Sequence, residues 1–90
     1  MDLLTPDERA EFIAAHPAWK LEGASLVRRY EFRDFVEAFA FVSRVALLSE
    51  KALHHPDIQL NWNTVTLRLT THAAGGLTSR DIDLAVSIDE

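Results

Sequence analysis

The chain has 90 residues, 48% of them apolar and 26% charged, with a formal charge of -5. That length suits one small globular domain spanning residues 1–90, whose modest core is often helped by oligomerisation. The acidic balance disfavours direct nucleic-acid binding, the absence of cysteine excludes disulfides and thiolate metal sites, and no apolar run is long enough to cross a membrane. With no basic or long apolar segment at the N-terminus, the expectation is a soluble cytoplasmic protein.

Thr5-Pro6-Asp7-Glu8 reads as a helix start, with Thr5 as cap, Pro6 in the first turn and Glu8 closing a capping box. Ala10, Ile13 and Ala14 give a weak apolar stripe with Phe12 nearby, and His16-Pro17 ends the helix. Trp19 and Leu21 alternate with Lys20 and Glu22 in a short strand. Gly23-Ala24 turns the chain into a second strand, Ser25 to Phe32, with Leu26, Tyr30 and Phe32 on one face. Arg28 falls on that same face, and the local sequence gives no reason for it.

Asp34 to Glu37 reads as a second capping box, opening a helix to Leu53 of roughly 30 Å at 1.5 Å per residue. Its expected core stripe is Phe35, Ala38, Phe39, Val42, Val45, Ala46, Ser49, Ala52 and Leu53. Phe41, Leu47 and Leu48 fall off that stripe and are expected to meet a second subunit. Pro56 ends the helix through His55. Ile58, Leu60 and Trp62 alternate in a third strand, and Asn63-Thr64 is the expected turn. Val65, Leu67 and Leu69 mark a fourth strand ending at Thr71-His72. After the Gly75-Gly76 loop, Thr78 to Asp81 is a third capping box, opening a helix lined by Ile82, Ala85 and Ile88. The order predicts an α+β fold: a four-stranded antiparallel sheet with three helices on one face.

The stretch Glu50-Lys51-Ala52-Leu53-His54-His55-Pro56 carries the densest chemistry. Adjacent histidines at a helix end point in different directions and address two sides of a flat ligand. One cationic and one neutral imidazole supply the acid and the base that a dehydration or isomerisation needs. Glu50 precedes His54 by four residues and is expected to face it. His72 follows a strand, and Asp81 lies in the first turn of a helix after a loop. Each feature also has a plain structural reading. The histidine pair suits C-terminal helix capping, Asp81 completes a capping box, and Trp62 suits hydrophobic packing. The spacing matches no common zinc motif.

The Glu-x-x-x-His-His-Pro segment, followed by Trp62, Thr71-His72, Gly76-Leu77-Thr78 and Asp81, resembles the signature of the pterin-4a-carbinolamine dehydratases, also known as dimerisation cofactors of a homeodomain transcription factor. Leu3-Thr5 through Trp19, Phe32-Asp34-Phe35 and Arg44-Val45-Ala46 extend the resemblance over nearly the whole chain. It implies a hydro-lyase that converts 4a-hydroxytetrahydrobiopterin to quinonoid dihydrobiopterin and water, in recycling of the tetrahydropterin cofactor. It also implies no metal and no bound cofactor. The resemblance makes His54, His55 and His72 the catalytic candidates. Glu50, Pro56, Trp62, Thr71 and Asp81 become substrate-binding or supporting residues, with Glu50 orienting His54. A homodimer or tetramer and a functional link to an aromatic amino acid hydroxylase are the implied partners. The alternative is a non-catalytic partner-binding module acting through the long helix.

Overall fold

The structure, a computed structural model, describes residues 2–90. Helix α1 (Pro6–Ala15) precedes the hairpin β1 (Lys20–Glu22) and β2 (Ser25–Glu31). Helix α2 (Phe35–Ala52) leads to a second hairpin, β3 (Asp57–Asn61) and β4 (Thr64–Leu69), and then to α3 (Ser79–Asp89). The strands form one antiparallel sheet in the order β1-β2-β4-β3. This is the expected α+β arrangement. None of the described helices is long and apolar enough to cross a membrane.

Strand alternation decides which face of the sheet is covered. Val65, Leu67 and Leu69 of β4 are fully buried, and Leu26 of β2 pairs with Leu69 on the same face. Phe12 of α1, Ala38 and Val45 of α2, and Leu84, Ala85 and Ile88 of α3 pack in one core with them. Gly23, with φ of +58°, makes the tight β1–β2 turn that glycine favours.

The β3–β4 turn falls one residue earlier than the sequence suggests. Asn61 pairs with Thr64, so Trp62 and Asn63 form the turn. Trp62 therefore leaves the strand, takes a φ of +51° and is 66% exposed, instead of packing in the core. Asn63 fixes this register: its Nδ2 donates to the Phe32 carbonyl at 2.9 Å, and its own carbonyl accepts from Phe32 N–H at 2.8 Å. Strand β4 also stops at Leu69 rather than at His72. The Thr71 carbonyl instead accepts from the backbone of Ala74, Gly75 and Gly76 and curls the chain into a short 3-10 turn.

The helix caps follow the sequence, but the buried faces do not follow it fully. Thr5 with Glu8 and Thr78 with Asp81 form complete capping boxes. At α2, Asp34 accepts from Glu37 N–H, but Glu37 accepts from Arg33 N–H, so the box is not reciprocal. In α1 the buried residue is Phe12, while Ala10 and Ala14 are exposed. One aromatic ring removes more apolar area from water than two alanines. In α2 the core face is Ala38, Val45 and Ser49, with Phe41, Val42 and Leu48 packed beside them. Phe35, Val36, Phe39, Leu47 and Leu53 are exposed. Phe41 and Leu48 are thus core residues: Phe41 meets Tyr30 and Phe32 at ring-centroid distances of 4.5 and 5.1 Å. The helix is rotated from the face expected from spacing, because Tyr30 on β2 and Phe32 just past its end offer Phe41 a place.

A polar cluster holds α3 in place. Asp89 accepts from Trp19 Nε1 at 2.7 Å, from Arg28 at 2.9 Å and from Tyr30 Oη at 2.7 Å. Arg28 also lies 4.4 Å from the Tyr30 ring centroid. This accounts for the charge on the core face of β2. Arg44 of α2 donates to the carbonyls of Ser87, Ile88 and Glu90 and so caps the end of α3. With its far end fixed to both sheet and α2, α3 presents its first turn to the segment that follows α2.

Candidate active site

Helix α2 ends in a way that separates the two adjacent histidines. Leu53 takes a left-handed conformation, φ 53° and ψ 40°. The His54 N–H then bonds back to the Ser49 carbonyl at 3.1 Å, and Leu53 N–H to Glu50 at 3.3 Å. This is the Schellman pattern of helix closure, with leucine where glycine is usual. Past this bend the chain directs His54 inward and His55 outward: the side chain of His54 is 10% exposed and that of His55 59%.

His54 donates from Nε2 to Asp81 Oδ1 at 2.6 Å. Asp81 is fully buried in the first turn of α3. Its other oxygen accepts from Thr71 Oγ1 at 2.8 Å and from Thr78 N–H at 2.9 Å, and the two threonine hydroxyls lie 2.9 Å apart. The carboxylate therefore closes the helix cap and holds the imidazole at once. A carboxylate offers only acceptors, so this contact places the His54 proton on Nε2 and leaves Nδ1 for a ligand.

Glu50 does not face His54. It pairs with His55 Nε2 on the exposed side of the helix end. The expectation failed because the helix stops before His54, so the four-residue spacing no longer places the two side chains on one face.

His54, His55 and His72 line one cavity of about 290 Å³. Thr70 and Thr71, which follow β4, also line it, with Leu53, Ala73 and Arg80. Sequence reasoning singled out the three histidines and Thr71. It missed Arg80, which sits in the first turn of α3 beside Asp81. The first turn of a helix at a loop is the signal that pointed to Asp81, and the same signal applied to Arg80. Pro56 does not line the cavity; it is half-buried and leads directly into β3. Trp62 lies at the other end of β3, roughly 15 Å along the strand at its usual rise. The fourth histidine, His16, stacks on Phe12 at 4.5 Å and lines a separate depression on α1.

The sequence matches the family described as Pterin 4 alpha carbinolamine dehydratase over residues 2–90. The chain belongs to the pterin-4a-carbinolamine dehydratase family. A relative from Acidobacterium capsulatum, which carries the dehydratase name provisionally, is 53% identical over 99% of this chain and 97% of its own. A similarly named protein of Chloroflexus aurantiacus is 50% identical over 100% of this chain and 97% of its own. Among solved structures, a transcriptional coactivator/pterin dehydratase from Brucella melitensis matches with a TM-score of 0.92 and 34% identity, covering 98% of this chain and 96% of that one. A pterin dehydratase-like protein identified as a RuBisCO assembly factor in the alpha-carboxysome shares the fold, with a TM-score of 0.64 and 24% identity over 79% of this chain and 82% of that one.

Proposed function

We propose that the three-histidine cavity dehydrates 4a-hydroxytetrahydropterin, with histidines as acid and base. The observation that carries this reading is the convergence of His54, His55 and His72 on one cavity, with two of them held by carboxylates. The substrate bears a hydroxyl on C4a beside an N5–H. Elimination transfers one proton to the departing hydroxyl, removes the N5 proton and releases water. An imidazolium donates the first and a neutral imidazole accepts the second. His54 and His72 flank the C4a/N5 edge, and His55, open to solvent and paired with Glu50, exchanges a proton with the hydroxyl. The product is the quinonoid dihydropterin, and an aromatic amino acid hydroxylase in the cytoplasm is the source of the substrate. In this reading the enzyme recycles the tetrahydrobiopterin cofactor and works as a homodimer or tetramer.

Single alanine variants at the three histidines test the assignment by turnover. Each is expected to lose up to the ~10²–10⁴-fold that acid/base assistance is worth. Wild-type turnover in all three would remove the histidines from the mechanism.

A second reading rests on a different observation. Phe35, Val36 and Phe39 lie exposed together at the start of α2, and Leu47 further along it. In that reading the chain is a non-catalytic module that binds a partner through this helix. Binding lost on Phe35→Ser and Phe39→Ser but kept in the histidine variants would favour it.

A further inference from the structure

Helices α2 and α3 run antiparallel and are joined by polar contacts at both ends of α3. At the start of α3, Asp81 accepts from His54, just past α2, at 2.6 Å. At its end, the Arg44 guanidinium of α2 donates to the carbonyls of Ile88, Glu90 and Ser87 at 2.7, 3.0 and 3.3 Å. From Arg44 to the end of α2, and from Asp81 to the end of α3, each helix runs about 12 Å at 1.5 Å per residue. The pair forms a closed frame, two struts joined at both ends.

The residues between the two joints do not fix where along its axis α3 stops. Val45 and Ser49 of α2 and Leu84, Ala85 and Ile88 of α3 are buried on these stretches, and apolar burial is non-directional. The Ser49 hydroxyl donates to the Val45 carbonyl of its own helix at 2.7 Å and makes no link to α3. The guanidinium differs, because it is a planar fork with donors in fixed directions, aimed at the carbonyls that a helix end leaves open. Asp89 fastens the same end of α3 to the sheet side through Trp19, Arg28 and Tyr30. A hydrogen bond weakens beyond about 3.2 Å, so a slide of α3 by roughly 1 Å opens the His54–Asp81 contact. A misplacement of that size costs up to about 10²-fold in rate.

We propose that Arg44 is a positioning residue for the histidine site: by setting the axial register of α3 on α2, its contacts with the last carbonyls of α3 hold Asp81 within hydrogen-bond reach of His54. The proposal rests on the dehydratase reading for the task of His54, and names a residue outside the cavity on which that task depends.

The test follows the His54 ring N–H by proton NMR beside the kinetics of dehydration, in the wild type, Arg44→Met, Arg44→Lys and Val27→Ala. The resonance is assigned by its loss in His54→Ala. Arg44→Met keeps the apolar stem and removes the donors, and Arg44→Lys keeps the charge without the fork. Val27 alternates with the core residue Leu26 and is buried on the face of the sheet away from the helices. Its truncation lowers stability without touching the frame, and so shows what a merely structural loss does. Arg44→Met is expected to speed solvent exchange of the His54 ring proton at least about tenfold and to lower kcat about ten- to 10²-fold, with KM within about twofold. Arg44→Lys should fall between it and the wild type, and Val27→Ala should match the wild type in both readouts. Wild-type exchange and kcat in Arg44→Met, or changes no larger than those of Val27→Ala, would overturn the proposal. Where Arg44→Met does not fold, Arg44→Lys decides by the same comparison. If the wild type accelerates no dehydration, the dehydratase reading fails on its own, and the exchange rates still decide whether Arg44 holds Asp81 to His54.

Discussion

His54 and Asp81, 27 positions apart in the chain, meet through a single 2.6 Å hydrogen bond between a helix end and a helix start. The carboxylate belongs to the capping box of α3, and the imidazole follows the left-handed bend that closes α2. Two local features of helix termination thus become one orienting contact. The adjacent His55 is held by a different carboxylate, Glu50, in solvent. The two histidines therefore work in opposite surroundings, and substitutions at their partners should have opposite signatures.

Asp81→Asn should reduce both stability and turnover. The amide nitrogen would confront donors from Thr71, Thr78 or His54, leaving a buried group without its partner. The expected cost is about 1–3 kcal/mol in urea denaturation. Turnover per folded molecule should fall at least about tenfold, because the imidazole loses its fixed tautomer. A stable variant with unchanged turnover would show that the contact does not orient His54.

Glu50→Gln should separate the two effects. Both partners of this pair are more than half exposed, so water and salt screen the contact. Stability should change by less than about 0.5 kcal/mol. Turnover is expected to fall roughly two- to tenfold, as His55 loses a charged partner. A loss of several degrees in Tm would instead mark Glu50 as a structural residue.

Leu53→Gly should stabilise the fold and weaken the site. A left-handed conformation costs an L-residue roughly 1–2 kcal/mol, partly offset by the ~0.4–1 kcal/mol that glycine adds to the freedom of the unfolded chain. Leu53 is 73% exposed, so little packing is lost. The net expectation is about 0.5–1 kcal/mol of added stability in denaturant titration. The side chain lines the histidine cavity, so KM should rise. Such strain at a cavity wall fits a functional position. Lower stability in the glycine variant would contradict this account of the helix end.

Much of the fold was legible because its signals are local. Thr5 with Glu8 and Thr78 with Asp81 are capping boxes in sequence and in structure. The Gly23 turn and the Val65-Leu67-Leu69 alternation needed only neighbours. What the sequence hid depended on distant residues. The partner of Arg28 lies 61 positions away at Asp89, and the rotation of α2 was set by Tyr30 and Phe32, distant from it in sequence. The Glu50 partner was misassigned because a four-residue spacing holds only inside a helix, and Leu53 ends this one. Trp62 was placed in a strand because alternation does not reveal where a hairpin turns, and Asn63 decides that here.

The Asp89 cluster should make stability fall in alkali. Burial pushes the Tyr30 phenol well above its ordinary range, and the hydrogen bond and negative charge of Asp89 push it further. Above pH ~10 an unfolded tyrosine ionises, while the folded one keeps its proton. Stability from this group is complete below pH ~10 and declines as the pH rises toward the higher folded value. Tyr30→Phe should cost about 1 kcal/mol at pH 8, where Asp89 loses a donor, and should show a shallower decline above pH 10. Denaturant titrations at pH 8 and 10.5 check this. Equal declines in both proteins would remove Tyr30 as the cause.

The central claim, that the three-histidine cavity performs the dehydration, is tested most directly by stopped-flow ultraviolet absorbance. The decay of 4a-hydroxytetrahydropterin is followed alone, with the wild type, and with the His54→Ala/His72→Ala double variant. The uncatalysed reaction proceeds by itself, so rates decide and end points do not. The account predicts acceleration by the wild type that the folded double variant loses by ~10²-fold or more. A wild-type rate equal to the uncatalysed one, or a double variant as fast as the wild type, would contradict it.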